Sequence, residues 1–178
     1  MKKIVLLMGV LLVGCSNSES ENVQKEDPVR TVSEPKKLDF PPVEQQASIP
    51  KVDIHDDLAI VKSAGVPVKK TLDSVDTVGE PKKIYQFADS VFGAQIELSK
   101  SQIQLVWIAV TEDESSRAKS FQSITIAQKL AVAMFGVEGG KLVDEITLKG
   151  KVEPQNLQGH QVLSGSCISG ICVLKIDR

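Results

Sequence analysis

The segment Asp53-Ile54-His55-Asp56-Asp57 sets three carboxylates around one imidazole. In an extended chain Asp53, His55 and Asp57 share a face, a spacing that could hold a metal ion through oxygen and nitrogen donors. The segment also lies at the mouth of a polar stretch, where charge is ordinary, and Asp53 equally suits a helix N-cap. His160 follows Gly159 and reads as a surface-loop residue. Ser164 and Ser166 flank Gly165, but no Gly-x-Ser-x-Gly elbow surrounds them, and neither histidine has a partner that spacing can place. Gly139-Gly140-Lys141-Leu142 lacks the earlier glycine and the following Ser or Thr of a phosphate-binding loop. Asp144 with Glu153 could act as a carboxylate pair, but spacing gives it no support. No catalytic residue, metal ligand or cofactor site is assigned on these residues.

The first cysteine carries a different chemistry. Met1-Lys2-Lys3 precedes an uncharged apolar run, Ile4 to Val13, and polarity returns abruptly after Cys15 with Ser-Asn-Ser-Glu-Ser-Glu. The lysines and the run match the n- and h-regions of a secretory signal. The run is too short for a bilayer span, which needs roughly 20 apolar residues. Leu12-Val13-Gly14-Cys15 resembles the lipobox of bacterial lipoproteins. That resemblance covers residues 1–15 alone. It implies cleavage after residue 14, a diacylglyceryl group on the Cys15 sulfur and an acyl group such as palmitate on the new N-terminus. Each buried methylene contributes roughly 0.8 kcal/mol, and stable anchoring takes more than one chain. By the same family resemblance, Ser16 rather than Asp after the cysteine points to the outer membrane, facing the periplasm.

With Cys15 assigned to lipid, Cys167 and Cys172 remain as a pair, in a compartment where such pairs close. Ser169-Gly170 suits a two-residue hairpin turn. Ile168 would then face Ile171, and Cys167 would lie opposite Cys172 with Cα atoms about 4.5 Å apart. The same register sets Gly165 against Leu174 and Leu163 against Ile176 on the cysteine face. Ser166 with Val173 and Ser164 with Lys175 fall on the wetter face. Redox pairs are usually Cys-x-x-Cys, and zinc would need two further ligands with only His160 near. A structural disulfide is therefore expected, ahead of free thiols.

The elements that must position these groups follow from composition and period. The net charge is −2, and loss of Lys2 and Lys3 takes it from −2 to −4. Such a chain has no electrostatic reason to bind nucleic acid. Residues 15–50, rich in proline, Ser, Glu, Gln and Lys, read as the lipidated N-terminus and a disordered linker. As a flexible coil, residues 16–50 would span roughly 30–35 Å. Phe40 in Leu38-Asp39-Phe40-Pro41-Pro42-Val43 is its only aromatic and could serve as a docking motif. Residues 51–178 read as one globular domain.

Ile54, Leu58, Val61 and Ala64 predict a short helix near 54–64, stopped at Gly65. Residues 66–82 read as turns. Strands are expected at 83–88, 91–99 and 102–111, the last central because Val106-Trp107-Ile108 is apolar on both faces. Thr111 to Glu114 fits a capping box. Phe121, Ile124, Ala127, Ala131, Met134 and Phe135 form one apolar side of a helix over 114–135, with Lys119, Gln122 and Lys129 on its wet side and Gly136 as its C-cap. Residues 141–149 read as a strand, or one helical turn, after Gly139-Gly140. Residues 151–158 read as loop or edge, and 161–176 as the closing hairpin. The fold class expected is α+β, a mostly antiparallel sheet covered by one long helix with a disulfide-locked C-terminal hairpin.

The functional expectation is a lipid-anchored, non-catalytic module that binds or braces a protein of the cell envelope. The membrane would be met through the anchor, and no cofactor is called for beyond the covalent lipid on Cys15. A small-ligand carrier would instead need a cavity lined by apolar groups. A hydrolytic enzyme would need His55 or His160 to converge with carboxylates in a cleft.

Overall fold

A computed structural model describes Leu38, residues 40–89 and residues 93–178. The expected signal segment, the lipobox-like stretch with Cys15, and most of the proline-rich stretch lie outside the described residues, as do Val91 and Phe92 of the expected strand 91–99. The chain runs through a 3-10 turn (Val43–Gln46), α1 (Asp57–Ser63), β1 (Lys70–Val75), β2 (Pro81–Gln86), β3 (Gln95–Ser99), β4 (Gln102–Ile108), α2 (Glu114–Lys149), β5 (Lys151–Val152), β6 (Gln155–Leu157), β7 (His160–Ile168) and β8 (Ile171–Asp177).

The fold is α+β. One eight-stranded sheet runs β1-β2-β3-β4-β8-β7-β5, with β6 on β7, and every pairing is antiparallel. Period-2 alternation decides its two faces. Tyr85, Ile96, Leu105 and Leu174 stand abreast across β2, β3, β4 and β8, all buried beneath α2. Trp107 is fully buried on the same face, and its indole Nε1 donates to Thr147 Oγ1 of α2 at 2.9 Å. β4 is central, as its apolar run predicts, yet Val106 on the opposite face is only half-buried.

The long helix is not straight. Gly136 has φ 64° and ψ −167° inside it. Gln128 Nε2 donates to Asp144 Oδ1 at 2.6 Å across sixteen residues; an unbroken helix would part them by about 24 Å. A Cβ placed on Gly139 would meet the Ala131 carbonyl at 2.5 Å, and one on Gly140 would meet Val132 Cγ2 at 2.8 Å. These pairs centre on residues 135–136, as an antiparallel helical hairpin requires. α2 therefore consists of two limbs, 114–135 and 137–149, the backbones touching where only glycine fits.

This corrects the expected strand at 141–149, which is the second limb. Leu142, Val143 and Ile146 fall on one buried helical stripe, and over so few residues a helical and a strand period are hard to tell apart. Gly136, with positive φ, ends the first limb as expected, while the second limb is capped by its own terminal glycine, Gly150, φ 80°. Phe121, expected in the core, is 43% exposed. Its mirror position across the hairpin is residue 151, past the end of the second limb, so the second limb does not cover it.

Other differences are local. The N-cap of α1 is Asp56, accepting from Ala59 N–H at 3.0 Å, while Asp53 accepts from His55 N–H instead. Leu58 then points out and Ile60 points in. Asp113, not Thr111, caps α2 through Ser116 N–H at 2.9 Å. The turn-rich stretch 66–82 contains β1, an edge strand with only Leu72 half-buried; without alternation it carries no strand signal. Packed chain also begins before residue 51. Val43 is buried against Gly140, Leu38 and Phe40 pack on the core, and Val52 N–H donates to Ala133 O at 2.9 Å. The apolar residues of the Leu38–Val43 segment thus dock on their own domain.

Candidate functional site

Cys167 and Cys172 form a disulfide with Cα atoms 3.9 Å apart. They sit opposite each other, with Ile168 facing Ile171 and Gly165 facing Leu174, as the turn at Ser169-Gly170 predicts. Both turn residues have positive φ, 51° and 76°, matching the tight turn of a two-residue hairpin. One expectation fails: Leu163 does not face Ile176. A bulge between Val162 and Ser164 brings Val162 there instead, and Val162 is buried while Leu163 is 39% exposed. Burial selects the register, and the extra residue is pushed out.

The Asp53–Asp57 segment lines a shallow depression of about 480 Å³ with Lys100 and Arg178. The imidazole of His55 is exposed there. The carboxylates have structural tasks. Asp53 and Asp56 accept backbone N–H groups, and Asp57 Oδ1 accepts from an Arg178 guanidinium nitrogen at 2.5 Å. That guanidinium also donates to Ile54 O at 2.6 Å and Ser99 O at 2.9 Å. The apparent metal motif is one side of a clamp that joins the α1 entry, the β3–β4 turn and the end of β8. Among the described residues, no three His, Cys, Asp or Glu side chains are grouped to hold a metal ion.

The remaining candidates are dispersed. His160 opens β7 rather than lying in a loop. Its ring packs against Phe135 at 5.8 Å, and Nδ1 stands 4.0 Å from Asp177 Oδ1. Ser164 and Ser166 sit on the face opposite the cysteines. Glu153 pairs with Lys151, whereas Asp144 faces Gln128, so the two carboxylates have separate partners.

Asp144 is the one carboxylate held between helix limbs. Partial burial raises its pKa, Gln128 opposes that, and Glu44 adds to it, for a net rise. A raised pKa in the folded state means that folding disfavours the ionised carboxylate. Its contribution is present at pH below the ordinary aspartate range and is lost as pH rises through the folded value. Gln128 Oε1 is buried beside it with no hydrogen-bond partner among the described residues. Asp144→Asn offers an amide donor to that oxygen. The variant should be about 0.5 kcal/mol more stable at pH 7, with the gain vanishing near pH 3 in urea titrations.

The surface that sequence reading missed is the helix-free face of the sheet. Ile108, Ile171 and Ile168 form one row across β4, β8 and β7, and Val106 lies beside Val173 in the next. Ile168 is 72% exposed and Ile171 42%. Toward β2 and β3 the face turns polar. Gln86 Nε2 donates to Gln95 Oε1 at 3.3 Å, Gln95 Nε2 to Glu97 Oε1 at 3.0 Å, and Lys82 pairs with Glu97. At its far corner, burial would raise the pKa of Asp76. The backbone N–H groups of Glu80 and Val78, the Ser99 hydroxyl and Lys175 outweigh that and lower it. No motif marks such a face, because its members are drawn from five strands.

No protein-family model, no curated protein and no solved structure matches the chain. The functional reading therefore rests on the chemistry of this molecule.

Proposed function

We propose that the chain is a lipid-anchored, non-catalytic module of the cell envelope that binds or braces another envelope protein through the open face of its sheet. The anchor is Cys15, in the setting Leu12-Val13-Gly14-Cys15. The observation that carries the binding reading is the exposed pair Ile168–Ile171, bordered by the half-buried Val106 and Val173 and the buried Ile108. Large apolar side chains grouped beside a polar ladder are the composition of a protein interface, with an apolar centre and a hydrogen-bonding rim. The disulfide one residue behind each isoleucine supports the reading, since it holds the row in register before a partner arrives.

Two measurements test the two halves. Cys15→Ser should move the protein from the membrane to the soluble fraction and remove the acyl mass; continued membrane fractionation would refute the anchor. A photocrosslinking residue at Ile168 or Ile171 in intact cells should capture a discrete envelope protein. The same residue at Leu58, equally exposed but on α1, should not. Equal capture from both positions, or none from Ile168, would overturn the assigned face.

A further inference from the structure

We infer that β1 is a docking edge for a second copy of this chain, the two β1 strands pairing antiparallel about a two-fold axis at Leu72 so that the two sheets become one. This goes beyond the protein-binding reading and does not depend on it.

The two edges of the sheet are built differently. At one, β5 and β6 are two and three residues long, and Pro154 lies between them; short strands and proline blunt an edge. At the other, β1 pairs with β2 without a register break from Lys70 to Val75 and contains no proline or glycine. Its residues are exposed except Leu72, which is half-buried. β2 turns its odd-numbered residues to β3, as Phe87 N–H donating to Ala94 O shows. It turns its even-numbered residues to β1, as Glu80 O accepting from Asp76 N–H at the end of the ladder shows. Lys70, Leu72 and Ser74 therefore direct their backbone groups to β2. Those of Thr71, Asp73 and Val75 point outward along the edge.

The side chains select the occupant. An added strand draws its affinity from main-chain hydrogen bonds, but here it must also lie against Asp73, so a carboxylate at that place is repelled. A second copy centred on Leu72 meets the condition. Asp73 of each copy falls opposite Thr71 of the other, whose hydroxyl can donate to it, and the same two pairs exchange their backbone bonds. Leu72 falls opposite Leu72 on the open face, each covering the other, and Lys70 falls opposite Ser74. Other centres fail. At Asp73 the two carboxylates would meet. At Thr71, Asp73 would face Lys69, whose N–H is already given to Gln86 O at 2.8 Å. Beyond Val75 the chain turns, and the Asp76 carboxylate accepts the N–H groups of Val78 and Glu80. A two-fold axis normal to the sheet keeps both helical layers on one side, so the dimer presents two open faces side by side.

The test traps the pair covalently, because a strand ladder alone is a small interface. In the full chain carrying Cys15→Ser, Leu72→Cys adds a single free thiol. Position 72 faces its own copy as a non-hydrogen-bonded pair with Cα atoms about 4.5 Å apart, within disulfide reach. In a glutathione buffer this variant should become a disulfide-linked dimer. Asp73→Cys, whose copies would stand about 8–9 Å apart, should give about tenfold less. Asp73→Pro added to Leu72→Cys removes an outward N–H and no bond to β2, so it should lower the dimer yield about tenfold with Tm unchanged. Thr71→Asp, which sets a carboxylate against Asp73 and leaves the backbone as it is, should lower the yield as well. No dimer from Leu72→Cys, an equal yield from Asp73→Cys, or a yield that neither Asp73→Pro nor Thr71→Asp reduces would each overturn the assignment.

Discussion

Gly136→Ala should cost the domain about 3 kcal/mol, a fall in Tm on the order of 10 °C. The reason lies in the backbone alone. φ 64° with ψ −167° is a region that essentially only glycine occupies. An added Cβ would meet nothing closer than Gln158 Nε2 at 3.5 Å, an ordinary contact, so steric crowding cannot account for a loss. The alternative open to the variant is worse. If residue 136 turned helical, the limbs would straighten, and Gln128 with Asp144, and Gly140 with Val43 and Val132, would separate. D-Alanine at the same position, introduced by peptide ligation, finds the mirror image of an ordinary extended conformation. It should retain full stability or exceed it, because the unfolded chain has fewer states. Gly140→Ala makes a useful contrast, since there the cost is a clash with two valines and D-alanine gives no rescue. Equal denaturation midpoints for Gly136→Ala and the parent would mean that the chain does not reverse at this residue.

Arg178→Ala should be nearly as damaging, about 2–3 kcal/mol by urea denaturation with an unchanged m-value. The side chain is 6% exposed and gives three hydrogen bonds to two separate segments, the Asp53–Asp57 stretch and the β3–β4 turn. Removal strands the Ile54 and Ser99 carbonyls. It also leaves Asp57 without its cation, although that carboxylate is 37% exposed and rehydrates in part. Arg178→Lys should recover less than half of the loss, because an ammonium cannot hold the fork that reaches two carbonyls and a carboxylate together. In a double-mutant cycle with Asp57→Asn, a coupling below about 0.3 kcal/mol would show that the ion pair contributes nothing and that the two carbonyls carry the effect.

Much of this fold follows from local rules. The disulfide, its facing isoleucines and the Ser169-Gly170 turn come from one short stretch whose chemistry is self-contained: a tight turn sets the register, and the register sets the cysteines opposite each other. The central position of β4 and the first limb of α2 come from runs long enough for one period to prevail. The second limb was illegible because its helical pattern covers only about three turns and sits behind two glycines that locally signal a loop. Those glycines are dictated by what presses on them from residues 131, 132 and 43, which spacing along the chain does not encode.

The same division separates the candidate sites. The proposed anchor at Cys15 is read from one contiguous stretch of sequence, and so are the cysteine hairpin and the polar–apolar split of β3 and β4. Only the tertiary structure decided that Asp53–Asp57 forms part of an arginine clamp, that Leu38–Val43 docks on its own domain, and that Ile168 and Ile171 stand exposed beside the buried Ile108. Side-chain partners fixed by neighbours distant in the chain depend on how strands pair and where a helix reverses, and a single residue with positive φ at position 136 controls that reversal.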